Sequence, residues 1–258
     1  MSEIVVAKIG GSTLGSHDTA LADVVELQRK GLQPVIVHGG GALISEWLDS
    51  HNVSTRFEQG LRVTDEESLR VVVAVLAGLV NKQIVAELSS RGGRAMGLSG
   101  ADCGLLRARP LDPKLGFVGE ITGVDTATVD SLVGDGCIPV IAPIAPEWEG
   151  ERPSAQLLNI NADSAAGAIA KALGARWLVF LTDVPGIRIV EGEIASSLSP
   201  AEAGALIESG IIEGGMIPKV RACLEAAQGG SRAIIVDGRV EHALVRTIEG
   251  NMPGTTIA

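Results

Sequence analysis

Six short, apolar, often β-branched runs, separated by longer helix-patterned segments, restrict the fold of this chain more than any other feature. The runs are Ile4 to Ile9, Pro34 to His38, Ala95 to Ser99, Ile138 to Ile144, Trp177 to Thr182 and Ala233 to Val236. Runs this short and this uniformly apolar fit strands buried on both faces, as in a parallel sheet. Helical patterns fill the intervals. Asp18 to Lys30 stops at Gly31, a suitable C′ glycine, and a second helix starts at Ala42. Thr64 to Arg91 opens with Thr64-x-x-Glu67, a capping-box pattern, and stops at Gly92-Gly93. Asp125 to Val133, Ala162 to Leu173, Pro200 to Ser209 and Pro218 to Gln228 complete the helices. Alternation of this kind predicts an α/β fold, a three-layer αβα sandwich on a mainly parallel sheet. The 258 residues suit two tightly joined lobes, 1–174 and 175–258, divided near Gly174. No flexible linker marks that boundary, so one continuous sheet is expected. Gly116 to Gly123 reads as part of a β-hairpin outside the main sheet, and Glu147 to Ser154 as a polar loop.

Charge and composition exclude several classes. A formal net charge of −10 disfavours a nucleic-acid binder, which needs a positive face. Aromatic residues make up 2% with no tyrosine, so a base-stacking platform is not expected. Three widely spaced cysteines without a CxxC indicate neither a zinc ribbon nor a disulfide framework, and they fit a reducing compartment. The N-terminus lacks a signal-peptide pattern. The apolar run from Val71 to Val80 is about half of what spans a bilayer. A cytoplasmic protein outside the membrane is therefore expected. GxxxxGK[ST], GxGxxG, GxSxG and HExxH are all missing, and the four histidines show no metal spacing.

Six segments carry candidate chemistry. In open α/β sheets, ligands collect outside the carboxyl ends of the strands. Lys8-Ile9-Gly10-Gly11-Ser12 ends the first strand, and Lys8 is the charged residue of an otherwise apolar run. An anion-binding glycine turn and a tight turn beside a snorkelling lysine both fit. Val37-His38-Gly39-Gly40-Gly41 leads from the second strand into a helix, whose free amides suit a carboxylate or phosphate; a close helix–strand crossing also fits. Arg62, in GLRVTD, reads as a bidentate carboxylate clamp or as a surface arginine beside Asp65, Glu66 and Glu67. Asn159-Ile160-Asn161-Ala162-Asp163 suits helix capping, lysine orientation or Mg²⁺ ligation. Thr182 to Ile187 contains a Pro-Gly turn. In Gly214-Gly215-Met216-Ile217-Pro218-Lys219, Pro218 suits a first helical turn. Lys219 then sits at the positive end of a helix dipole, which is unfavourable unless an anion is near.

Taken in order, AKIGGS, VHGGGALI, GLRVTD, LNINADSAAGAIAKAL, LTDVPGI and GGMIPKV resemble the amino-acid kinase family over essentially the whole chain. Within that family the resemblance is to the branch acting on N-acetyl-L-glutamate in arginine biosynthesis. It implies in-line transfer of the γ-phosphoryl group of ATP, carrying its Mg²⁺, to a side-chain carboxylate, with no metal held by the protein itself. By matching motifs, Lys8 and Lys219 would bind the phosphoryl group from both sides, and Asp163 would position them. Gly11 and Gly40 would donate to the transferring oxygens; Gly40, Gly41, Arg62 and Asn159 would hold the acetylated amino acid. Asp183, Val184, Pro185, Gly186 and Ile187, with Ile211, Ile212 and Glu213, would contact ATP in the C-terminal lobe. The chemistry is consistent: a carboxylate needs no general base, and phosphoryl transfer rests on positioning and cationic stabilisation.

Arginine-inhibited members resemble longer chains whose extra N-terminal helix builds a hexamer. Here the first strand starts at about Ile4, so an arginine-insensitive homodimer is expected. Two alternatives differ in substrate or class. One is a kinase of carrier-protein-linked aminoadipate or glutamate, which would need a basic groove. The other is a non-catalytic nucleotide- or amino-acid-binding regulator, which would not need both Lys8 and Lys219.

Overall fold

A computed structural model describes residues 3–10, 19–58, 60–189 and 192–258. The chain runs β1 (Ile4–Ile9), α1 (Ala20–Arg29), β2 (Gln33–His38), α2 (Gly41–Ser50), β3 (Phe57–Glu58), β4 (Leu61–Arg62) and α3 (Glu66–Val73). A π-helical segment (Ala74–Val80) joins α3 to α4 (Asn81–Ser90). Next come β5 (Ala95–Ser99), β6 (Leu106–Pro110), β7 (Val118–Val124), α5 (Ala127–Gly134), β8 (Ile138–Ala142), β9 (Ile144–Glu149) and β10 (Arg152–Ile160). The remainder is α6 (Ala162–Ala172), β11 (Trp177–Thr182), β12 (Ser197–Leu198), α7 (Pro200–Glu208), α8 (Met216–Gln228), β13 (Arg232–Asp237), α9 (Ala243–Ile248) and β14 (Thr255–Ile257).

Eight strands form one sheet in the order β12-β14-β13-β11-β1-β2-β8-β5. Pairing is parallel throughout except between β13 and β14. Strand β1 lies between β2 and β11, so the sheet runs unbroken past Gly174. Its side chains alternate between two cores, as the two-residue period of a strand requires. Ile4 and Val6 join the core under α5, α6, α7 and α8; Val5, Ala7 and Ile9 join the core under α1, α2, α3, α4 and α9. Lys8 belongs by period to the first face, beneath α6 and α8. The three-layer sandwich is the predicted architecture.

Local differences have identifiable causes. The predicted hairpin at Gly116 to Gly123 is part of a closed four-stranded barrel, β10-β7-β6-β9, beside the main sheet. The expected polar loop Glu147 to Ser154 is instead the tip of the β9–β10 hairpin. Its side chains are polar because that end is largely exposed. The expected cap at Thr64 is displaced by one residue: Asp65 is the N-cap and accepts from the Ser68 amide at 2.8 Å. Thr64 is buried and donates its hydroxyl to the Arg62 carbonyl. The long helix is not uniformly α-helical, because the apolar period tolerates the wider π turn at Ala74–Val80. The predicted helix start at Asp18 lies outside the described residues, and Gly31 after α1 has the left-handed φ of +84°.

Candidate active site

Lys8 projects from β1 to the Asp163 carboxylate, with Nζ 2.7 Å from Oδ1. The ammonium of Lys219 meets the other oxygen, Oδ2, at 2.8 Å. Three elements place these groups. In α6, Asn161 is the N-cap and accepts from the amides of Asp163 and Ser164 at 2.9 and 3.0 Å, so Asp163 falls in the first turn. In α8, Pro218 lies in the first turn and Lys219 follows it. Close packing of α6 on α8 closes the triangle. Of the uses open to the Asn-Asp segment, capping belongs to Asn161 and lysine pairing to Asp163. The anion that Lys219 requires at a helix N-terminus is this carboxylate.

The cluster is nearly dry, since the three side chains retain only 12%, 10% and 13% exposure for Lys8, Asp163 and Lys219. Burial pushes the Lys8 ammonium below its ordinary pKa; Asp163 opposes that shift and Lys219 adds to it. Burial alone would raise the Asp163 carboxyl, but the two lysines outweigh it and hold the group below the ordinary range. Two cations on one carboxylate leave excess positive charge inside the buried cluster, offset at longer range by the exposed Asp183. A buried cation short of a partner favours an incoming anion. Lys219 also lies 5.5 Å from the centroid of Phe180, which pairs with Lys8 in the β1–β11 register.

Arg62 forms a second positive point, at the end of β4. It is 8% exposed and, among the described residues, has no carboxylate within ion-pair distance. Its Nη2 donates to the Gly41 carbonyl at 3.1 Å and to Ser45 Oγ at 2.8 Å; its Nη1 donates to Thr55 Oγ1 at 3.3 Å. The guanidinium carbon stands 4.7 Å over the Phe57 ring, and burial lowers its pKa. The surface-arginine reading therefore fails. Asn159, on β10, joins the same region by donating from Nδ2 to Thr64 Oγ1 at 3.1 Å. Gly116 makes that approach possible, because a Cβ there would collide with the Thr64 carbonyl.

The second glycine turn connects β2 to α2. Gly39 donates its amide to the Ile9 carbonyl at 2.9 Å, binding the two strand ends together. Gly40 is the N-cap of α2. A Cβ on Gly40 would lie 2.8 Å from Leu76 Cδ2 and 3.4 Å from Val80 Cγ2, both in the π-helical segment. A side chain here would require Leu76 to move aside. The first-turn amides of α2 have no acceptors within the helix and can still serve an anion. Gly11, expected to share that task, lies outside the described residues.

A family model described as the amino acid kinase family matches residues 3–237. The chain belongs to this family. The acetylglutamate kinase of Dehalococcoides mccartyi is 46% identical over 259 residues, covering 99% of this chain and 94% of that one. The acetylglutamate kinase of Oleidesulfovibrio alaskensis is also 46% identical, covering 94% of this chain and 86% of its own. In structure, an N-acetylglutamate synthase from Neisseria gonorrhoeae complexed with coenzyme A and N-acetyl-glutamate superposes with a TM-score of 0.85 at 27% identity. That match covers 100% of this chain and 60% of the other.

In this member of the amino acid kinase family, the residues expected at the nucleotide divide into two sets. Asp183 and Pro185 are exposed beyond β11, and Ile211 and Glu213 are exposed before α8. Ile187 and Ile212 instead fill the core, with 1% and 3% exposure. Their amides are also engaged, by Thr255 Oγ1 at 2.8 Å and the Leu206 carbonyl at 3.0 Å. Gly186, at φ +153°, packs against Thr255, and Val184 donates its amide to Thr182 Oγ1. Sequence reasoning included His38 in the second glycine segment without giving it a role and missed Asn81; both are fully buried and in contact behind that turn. The available signal was a polar residue closing each of two apolar runs, Pro34 to Val37 and Val71 to Val80.

Proposed function

We propose that this chain transfers the γ-phosphoryl group of ATP to the side-chain carboxylate of N-acetyl-L-glutamate, giving an acyl phosphate and ADP in arginine biosynthesis. The observation that carries this reading is the pair of lysines, from β1 and α8, on the two oxygens of one buried aspartate. Near-full-length similarity to acetylglutamate kinases supports the substrate. Charge on a transferring phosphoryl group spreads over its equatorial oxygens, and two ammonium groups in a dry site stabilise it without a proton transfer. Lys8 and Lys219 take that role and Asp163 holds them apart and in line. Gly40 and Gly11 donate amides to the same oxygens. Arg62, with Gly41 and Asn159, holds the acetylated amino acid, and Arg62 meets its α-carboxylate. On the nucleotide, the exposed residues of the 183–186 and 211–213 segments make the contacts.

Mg²⁺ enters with ATP in this reading. Both Asp163 oxygens are engaged by ammonium groups, so metal ligation falls to the nucleotide's own phosphates, whose charge the ion offsets. We assign 1–174 to the acetylglutamate lobe and 175–258 to the ATP lobe. A homodimer is supported by the helical stretch Glu66–Ser90, in which one 18-residue window has a mean hydropathy of 1.8 while 39% of that window is buried in one protomer. Strand β5, at one edge of the main sheet, exposes Met96. Free thiols at Cys103, Cys137 and Cys223 support a reducing, cytoplasmic setting.

The deciding experiment is ADP release with N-acetyl-L-glutamate, run beside glutamate, aspartate and carbamate. Turnover with N-acetyl-L-glutamate well above the other three is expected. Equal or better turnover with any of the others would overturn the substrate assignment.

A further inference from the structure

The His38 side chain is fully buried at the end of β2 and makes two contacts. Its Nδ1 lies 3.0 Å from the Gly39 carbonyl oxygen, and its Nε2 lies 3.2 Å from Asn81 Nδ2. The orientation of the Asn81 carboxamide is fixed independently. Nδ2 faces the carbonyls of Val140 at 2.9 Å and Leu98 at 3.2 Å, while Oδ1 accepts from Lys82 Nζ at 3.1 Å. Nδ2 is therefore a donor group whose two protons are shared among three acceptors, and because an NH2 cannot accept, the His38 Nε2 facing it carries no proton. The imidazole proton then sits on Nδ1 and is donated to the Gly39 carbonyl. Burial keeps the ring neutral, with its pKa lowered to about 4.

The Gly39 carbonyl and the Gly40 amide belong to one planar trans peptide, in which C=O and N–H point in opposite directions. A hydrogen bond that holds the carbonyl toward His38 holds the Gly40 N–H away from it. The peptides on either side are tied down, by the Gly39 amide to Ile9 and by the Ile44 amide to the Gly40 carbonyl, but the 39–40 peptide between them has no Cβ on either flank to fix its rotation. The π-helical segment supplies both halves of the support: Leu76 and Val80 press on Gly40, and Asn81 follows at once as the first residue of α4. Gly97 leaves room for Asn81, since a Cβ there would collide with its Oδ1.

We propose that His38, held in one tautomer by Asn81, is a positioning residue that aims the Gly40 amide at the transferring phosphoryl group. This inference rests on the kinase reading above for the identity of the group that the amide meets.

Two substitutions separate the two contacts. His38→Asn keeps a donor at the Nδ1 position and loses the contact to Asn81. His38→Gln keeps an acceptor at the Nε2 position and loses the donor to Gly39. His38→Asn is expected to hold kcat within about 3-fold of the parent, and His38→Gln to lower it by about 10-fold or more, with KM for ATP unchanged in both. Amide exchange at Gly39, whose N–H bonds to Ile9, is expected to be faster in His38→Gln than in His38→Asn. Thermal unfolding identifies the temperatures at which both variants are folded. Equal kcat in the two folded variants would overturn the proposal, as would equal losses in kcat and in KM for ATP. If the parent chain itself fails to phosphorylate N-acetyl-L-glutamate, the kinase reading falls. The exchange comparison then still decides whether His38 sets the turn, and equal exchange overturns that role.

Discussion

Gly167 of α6 lies so close to Ala222 of α8 that a Cβ on the glycine would stand 2.7 Å from the alanine carbonyl oxygen. Gly167 is four residues after Asp163, and Ala222 is three after Lys219. Each pair is therefore one helical turn apart on the facing surfaces. The distance between the helices thus sets the distance between the two charged groups. Gly167→Ala must push backbone apart rather than a flexible side chain. A loss of about 1–3 kcal/mol in stability is expected, together with reduced kcat. Urea unfolding and initial rates on the same preparation test both. An unchanged kcat in the destabilised variant would show that the ion pairs tolerate the separation.

Lys8→Ala and Lys219→Ala are each expected to lower kcat by ~10²–10³, with smaller effects on either KM, because their charge matters most during transfer. Asp163→Asn should fail differently. It leaves two buried ammonium groups without their shared anion, and breaking such a pair costs about 3–5 kcal/mol of stability. The melting temperature should therefore fall most in Asp163→Asn. Near-normal turnover in either folded lysine variant would exclude that lysine from the transfer step.

Arg62→Ala should act mainly on the acetylated amino acid. The lost charge-assisted contacts correspond to about 2–4 kcal/mol, appearing as a raised KM for N-acetyl-L-glutamate with KM for ATP little changed. Arg62→Lys is not expected to restore binding, since an ammonium cannot reach the Gly41 carbonyl, Ser45 and a ligand carboxylate in one plane. A selective loss of ATP binding would place Arg62 on the wrong substrate.

Two histidines should drive the pH dependence of stability in different windows. His38 has a folded pKa of about 4 against about 6.5 when unfolded, so the unfolded state takes up the proton first. Stability is lost as pH falls from about 6.5 to 4, by about 3 kcal/mol from this group, and His38→Asn should remove that part of the slope. His242 behaves oppositely. Its Nδ1 is 2.7 Å from the buried Asp23 carboxylate, and this hydrogen bond raises its pKa. Its contribution is present below pH ~6.5 and disappears as pH rises through the higher folded value. The stability gap between the parent and His242→Gln should accordingly narrow from pH 6 to pH 9. Denaturant titrations at four pH values would measure both, and a gap that widens with pH would refute the His242 assignment.

The parts of this architecture that could be read from residues alone were those where a side chain conflicts with its local setting. Lys8 contradicts an apolar strand, and Lys219 contradicts a helix dipole; both conflicts resolve at Asp163. Strand identities followed from β-branched runs with two buried faces. What stayed hidden depended on partners distant in the chain. Thr64 and Asp65 are both competent caps, and the choice between them is made by bonds that engage the Thr64 hydroxyl, one local to Arg62 and one from the distant Asn159. The π turn leaves the apolar period almost intact, so nothing local announces it. Asn81 acquires its meaning only when β2, β5 and β8 converge on its carboxamide. Polar composition concealed the β9–β10 hairpin, since an exposed hairpin tip needs no apolar side chains.

The central position of β1 has a mechanical consequence. This strand is laddered to β2 along six residues and to β11 along five, and it carries Lys8 between them. Bending the molecule at that seam would strain two hydrogen-bonded ladders at once. A hinge at that seam is therefore disfavoured. Any tightening around bound substrates has to come from elastic twist of the whole sheet or from the segments at its carboxyl rim. Lys8 thus sits on a stiff reference strand, and in the proposed reaction it is the reactants that travel to it.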